Sequence, residues 1–169
     1  MQVARLMRHV AATHWRTRRL FPAKTLDAIE RAIGSFERAH SGEIRFVIEA
    51  ALPPMHVLGE VTPRARALDL FAHLRVWDTE QNNGVLIYVE LADRTVEIVA
   101  DRGFSGRIGP PEWEAVCRLM EQHFRAGRFE AGSIAGIEAI GALLARHFPA
   151  AAGAAGGAQN ELPDRPTLL

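Results

Sequence analysis

The 169 residues carry 20 Lys plus Arg against 20 Asp plus Glu, and are 48% hydrophobic and 24% charged, as suits a single globular domain with a sizeable core. Balanced charge provides no global field for nucleic acid, so no nucleic-acid partner is expected and any partner must be recognised locally. The lone cysteine, Cys117, excludes an internal disulfide and a cysteine-based metal cluster, and no run nears the roughly 18 apolar residues of a transmembrane segment.

Residues 1–23 read as a basic helical segment, with Arg5, Arg8, Arg16, Arg18 and Arg19 and no acid. Val3, Leu6, Met7, Val10 and Trp15 give it a weak apolar stripe. The plainer reading packs this helix on its own domain; the alternative lays residues 1–21 on an anionic membrane or a partner as a peripheral contact. The features of a secretory signal are missing, so a cytoplasmic location is expected.

Residues 24–148 carry the domain proper. Leu26, Ile29, Ile33 and Phe36 recur at helical spacing behind Thr25, a candidate N-cap. Glu43 to Ala50 alternates as a strand with Ile44, Phe46 and Ile48 on one face. Thr62 and Pro63 open a helix expected to turn Leu68, Phe71 and Ala72 inward. Gly84 to Leu91 is nearly all apolar and turns through Ala92 and Asp93 into Arg94 to Ala100, a hairpin. Trp113, Val116, Cys117, Met120 and Phe124 stripe the next helix; Ile134, Ile137, Ile140 and Leu144 stripe the last. Residues 149–169, rich in Ala, Gly and Pro, are expected to be a disordered tail. The order of elements predicts an α/β fold: a three-layer αβα sandwich with a small mixed sheet covered on both faces.

The segment WDTEQNNGVLIYV, residues 77–89, concentrates the chemistry. Asp78, Glu80, Asn82 and Asn83 present carboxylate and amide oxygens before a tight turn into the strand, a donor set that suits Ca2+ or Mg2+ rather than zinc. Ordinary turn chemistry explains the same residues. Ligands of open α/β sheets lie at the carboxyl ends of strands, an address the loop after Ala100 would hold. In that loop Arg102 and Arg107 are candidates to clamp an anion at the N-terminus of the helix beginning near Pro111, with solvated loop arginines as the plainer reading. His14, His40, His56, His73, His123 and His147 lie scattered along the sequence and suggest no zinc site.

The segments SGEIRFVIEA, WDTEQNNGVLIYVELADRTVEIVADRGF and HFRAGRFEAGSIAGIEAI, in this order and spacing, resemble the TPM domain family over about Leu26 to His147. The resemblance implies an αβα sandwich and, as in some members, a calcium or other divalent cation in the first loop. The ligand candidates it implies are Asp78, Glu80, Asn83 and Asp101. This chain has Asn82 where many relatives have Asp, and Arg102 where they have an aromatic residue, so both departures add neutral or positive character beside the site. The family includes a thylakoid-lumen acid phosphatase, but the nucleophile motifs of known phosphatase classes are missing here. Two readings follow: a divalent-cation-binding interaction module serving membrane-protein assembly or turnover with a membrane-associated partner, and a weak metal-dependent phosphatase acting through a metal-bound water. The chain is expected to be a monomer.

Overall fold

The computed structural model describes residues 2–11, 14–37, 40–147 and 160–169. In chain order it contains α1 (Gln2–Ala11), α2 (His14–Leu20), α3 (Ala23–Phe36), β1 (Glu43–Glu49), α4 (Pro54–Leu58), α5 (Pro63–His73), β2 (Gly84–Glu90) and β3 (Thr95–Ala100). A 3-10 turn (Arg102–Phe104), α6 (Pro110–Arg125), α7 (Phe129–His147) and β4 (Thr167–Leu168) complete it.

The sheet order is β3-β2-β1-β4. β1 runs parallel to β2 with Glu43 opposite Gly84 and Glu49 opposite Glu90, and β2 pairs antiparallel with β3 from Val85–Ala100 to Glu90–Thr95. Strand alternation sorts the side chains onto two faces. Ile44, Phe46, Ile48, Val85, Ile87, Val89, Val96 and Ile98 meet Ile29 and Ile33 of α3, Met120 of α6 and Ile137 and Ile140 of α7 in one core. Val47, Leu86, Tyr88 and Val99 meet Ala67 and Leu70 of α5 in the other. The mixed sheet is therefore covered on both faces, which is why all seven residues of β2 are buried.

Two local expectations are corrected. Thr25 lies inside the first turn of α3, where its hydroxyl donates to Glu130 Oε2 at 2.8 Å; Pro22 holds the cap position. Leu68 and Ala72 of α5 face solvent, and Ala67 and Leu70 turn inward with the half-buried Phe71 packed beside them. Ahead of α3, Phe21 is fully buried in the main core and stands edge-on to Phe124 and Phe129.

The largest correction concerns the tail. Residues 160–169, expected to be disordered, pack along the outer edge of β1, with Val47 opposite Thr167 and Ile48 opposite Leu168; residues 148–159 lie outside the described residues. Arg45 of β1 organises this return by donating to the carbonyls of Pro163 and Arg165 and to the Thr167 hydroxyl. Glu43 accepts from the backbone N–H groups of Glu161 and Leu162. The tail thus covers an edge that would otherwise expose unpaired backbone groups.

Acids crowd beneath this segment. Burial pushes the Glu37 carboxyl up from 4.5 to about 8, against the hydrogen bond it accepts from Ile44 N–H and with help from the nearby charges of Glu43 and Asp164. A carboxyl with a raised folded-state pKa holds its proton longer in the native state, so its contribution to stability falls as pH rises from about 4.5 to about 8. Glu37→Gln is therefore expected to raise the thermal midpoint relative to wild type at pH 8 and to match it near pH 4.5; equal differences at both values would rule out this source.

Candidate functional site

The loop between α5 and β2 is built by close backbone contacts. Asn82 adopts φ 52 and Asn83 N–H donates to Thr79 Oγ1 at 3.0 Å. Gly103 N–H then donates to the Asn82 carbonyl at 2.9 Å and Asp101 N–H to the Gly84 carbonyl at 3.0 Å, which joins this loop to the end of β3. Asn83 is 1% exposed; its amide donates to the Ser41 carbonyl, and its Oδ1 is buried without a hydrogen-bond partner. Asp101 Oδ1 accepts from Arg102 N–H at 2.7 Å, while its Oδ2 is likewise buried and unpartnered. Two buried acceptors without donors are costly.

Asp78 and Glu80 are placed differently. Asp78 is exposed, 4.0 Å from Arg75, and Glu80 is exposed with its N–H donating to Glu161 Oε2 at 2.9 Å. The four expected cation ligands therefore divide into an inner pair, Asn83 and Asp101, and an outer pair on the loop. Glu161 is a carboxylate that sequence reasoning missed, because it arrives from a tail 81 positions away.

Because β3 is antiparallel, the loop after Ala100 lies at the amino ends of β1 and β2, not at the carboxyl address the sequence suggested. The proposed anion clamp is not assembled either. Arg102 Nε donates to Asn82 Oδ1 at 2.8 Å, whereas Arg107 reaches the His147 carbonyl at 3.3 Å. Pro110 and Pro111 remove two N–H groups from the first turn of α6, and Glu112 Oε2 accepts from Gly109 N–H at 2.7 Å. A helix start that already holds its own carboxylate is a poor seat for a second anion.

At the opposite end of the sheet lies a cluster the sequence did not announce. Among the described residues, the group of His, Cys, Asp or Glu side chains whose ligand atoms lie within 4.8 Å of one another is His9, Glu90 and Asp93. Both acids are committed, and of the histidine's two nitrogens only Nδ1 has a hydrogen-bond partner. His9 Nδ1 accepts from Leu52 N–H at 2.9 Å, and its Nε2 lies 3.3 Å from Asp93 Oδ2. Asp93 also receives Arg5 at 2.7 Å and Arg8 at 3.1 Å, and Glu90 accepts from Ala92 and Asp93 N–H. Burial favours the neutral form of both acids. It carries Glu90 up to about 7, but at Asp93 the Arg5 and Arg8 hydrogen bonds outweigh it and the net shift is downward. With its acceptors taken by backbone and guanidinium donors, this cluster is a clasp that pins α1 to the hairpin.

A family model described as the TPM domain matches residues 17–143. The chain belongs to the TPM domain family. Among solved structures, this TPM domain is similar to the BA42 protein of the psychrophilic bacterium Bizionia argentinensis, with 31% identity, TM-score 0.72, and coverage of 87% of this chain and 94% of that one. It also shares its fold with the N-terminal domain of a P. gingivalis protein, at 20% identity and TM-score 0.58, covering 76% of this chain and 79% of that one. No curated protein matches the chain. Among the described residues, no helix is long and apolar enough to cross a membrane. Cys117 packs against the TPM core, and burial raises its thiol to about 12, so it carries no thiolate chemistry near neutral pH.

Proposed function

We propose that this TPM domain is a divalent-cation-binding interaction module that docks peripherally on a membrane-associated partner or its membrane. The observation that carries the docking is the orientation of α1. Its polar residues Arg5, Arg8 and His9 face the domain, whereas Val3, Met7 and Val10 are 74%, 62% and 59% exposed. An amphipathic helix pinned with its apolar stripe outward has not yet buried the surface that drives helices onto cores. Trp15 of α2 is 69% exposed with the Arg19 guanidinium 5.6 Å over its ring, and no acid stands among residues 1–26 to oppose an anionic surface.

The cation half of the proposal rests on the unpartnered oxygens of Asn83 and Asp101. A hard cation would satisfy both, and with the exposed Asp78 and Glu80 of the same loop these four residues would hold Ca2+ or Mg2+. It would tie the loop to the end of β3. Arg102 and Arg107 have separate partners, so nothing favours the phosphatase reading over binding.

The docking test uses the full chain with vesicles of phosphatidylcholine alone and with 30 mole percent phosphatidylglycerol added (about a third anionic lipid, enough for a surface potential of tens of millivolts). Wild type is expected to pellet with the anionic vesicles, and Met7→Asp with Val10→Asp, which leaves the Asp93 clasp untouched, to lose most of that binding. Absence of wild-type pelleting, or binding unchanged by the two aspartates, would overturn peripheral docking through α1.

A further inference from the structure

A second site lies at the carboxyl ends of the parallel strands, away from the cation loop. A cavity of about 230 Å³ opens between α2, the end of β2 with its hairpin turn, and the junction of α6 with α7. Open α/β sheets bind ligands at this end, where the strands stop and their flanking loops diverge. Leu20, Val89, Leu91, Phe124 and Phe129 supply apolar walls, with the Phe124 and Phe129 rings stacked at 5.2 Å. At this size the space suits a ligand smaller than the drug-sized molecules of typical pockets, which occupy roughly 300–1,000 Å³.

The polar lining is asymmetric. Glu90 is occupied by the N–H groups of Ala92 and Asp93, and Glu121 by Arg125 at 2.9 Å and by Val96 N–H. Arg16 and Arg94 also line the cavity, are exposed, and make no hydrogen bond or ion pair with any described residue. Two uncommitted guanidiniums therefore flank an apolar chamber whose acids are already engaged.

Arg94 is also held at φ 59, the left-handed region, at the last position of the hairpin turn. Glycine or asparagine adopts that conformation at lower cost, and hairpin turns favour them there. An arginine kept in a strained conformation, without a partner, beside a cavity is accounted for if its guanidinium serves a ligand.

We propose that this cavity binds a small organic anion, a carboxylate or phosphate monoester with a short apolar chain, its head paired with Arg16 and Arg94 and its body against Leu20, Phe124 and Phe129. Guanidinium groups suit either head group through paired N–H donors. The site is independent of the cation loop and of docking through α1, so its failure would leave both standing.

The test is an amide NMR titration of the full chain with octanoate, octyl phosphate and octan-1-ol. Saturable shifts are expected for at least one of the anions at Leu20, Val89 to Thr95 and Phe124 to Phe129, with octanol at least tenfold weaker. The better anion identifies the head group. Arg94→Gly is expected to raise the thermal midpoint by relieving the turn and yet to weaken the better anion tenfold or more. Arg16→Gln, which leaves the turn alone, is expected to weaken it as well. The proposal is overturned by any of three results: neither anion gives saturable shifts, octanol binds as tightly as the better anion, or Arg16→Gln and Arg94→Gly both leave its affinity unchanged.

Discussion

Gly84→Ala is expected to be the most damaging single-methyl change in the protein. A Cβ at this position would stand 1.9 Å from the Val76 carbonyl oxygen and 3.0 Å from its carbon, both backbone atoms that cannot swing aside. The contact lies where the loop after α5 enters β2, and Gly84 is fixed on one side by pairing with Glu43 and on the other by its carbonyl bond from Asp101 N–H. Relief requires β2 or the end of α5 to move, and Val76 is itself fully buried against the second core. Overpacking ordinarily costs 1–3 kcal/mol, and a clash with fixed backbone belongs at or above the top of that range, about 3 kcal/mol. For a chain of this size that lowers the thermal midpoint by roughly 10 °C. A variant melting within about 2 °C of wild type would show that the loop is softer than its contacts indicate. Gly103, whose Cβ would lie 2.3 Å from the Asn82 carbonyl oxygen, is the matching constraint on the other side of the loop.

Arg66→Met is expected to cost a similar amount for an electrostatic reason. Glu49, 4% exposed at the end of β1, receives two parallel hydrogen bonds from Arg66, at 3.1 and 2.9 Å, and a third from the Tyr88 hydroxyl at 2.6 Å. Burial, followed by the Glu49 charge and its hydrogen bond, holds the Tyr88 hydroxyl far above its ordinary range, so tyrosine acts only as donor. Removing the guanidinium leaves a buried carboxylate supported by one hydroxyl, and breaking such pairs costs about 3–5 kcal/mol. The companion variant, Glu49→Gln with Arg66→Met, removes the charge and retains an oxygen for Tyr88; it should recover more than half of the loss. Urea unfolding of both variants at pH 7 measures this directly. A double variant no more stable than Arg66→Met alone would mean that packing of the arginine stem, rather than an abandoned charge, sets the loss.

Periodicity in the sequence was enough for the sandwich. Ile44, Phe46 and Ile48 alternate because one face of β1 meets α3 and α7, and β2 is apolar throughout because both of its faces are covered. The entry through Asn82, Asn83 and Gly84 was also legible, since positive φ and close backbone approach demand those residue types. Helix α5 defeated the pattern, because Leu68 and Ala72 extend the apparent stripe while the face toward the sheet is narrow and formed by Ala67 and Leu70.

What could not be read depended on partners remote in sequence. His9 meets Glu90 and Asp93 across more than 80 positions, and the inversion of α1 follows from that clasp rather than from its apolar stripe. The stripe located the amphipathic helix but not the side that faces the domain. Strand β4 has only two residues and follows a stretch of Ala and Gly, so its anchor is Arg45 in another strand and not a pattern of its own.

The most direct measurement for the proposed cation site is an amide NMR titration of the full chain, freed of metal, with calcium and, separately, with magnesium. Saturable shifts confined to Asp78 to Gly84 and Asp101 to Gly106 are expected, together with their loss in Asp101→Asn. No saturable shift with either ion, or shifts centred instead on His9, Glu90 and Asp93, would contradict a cation site at this loop.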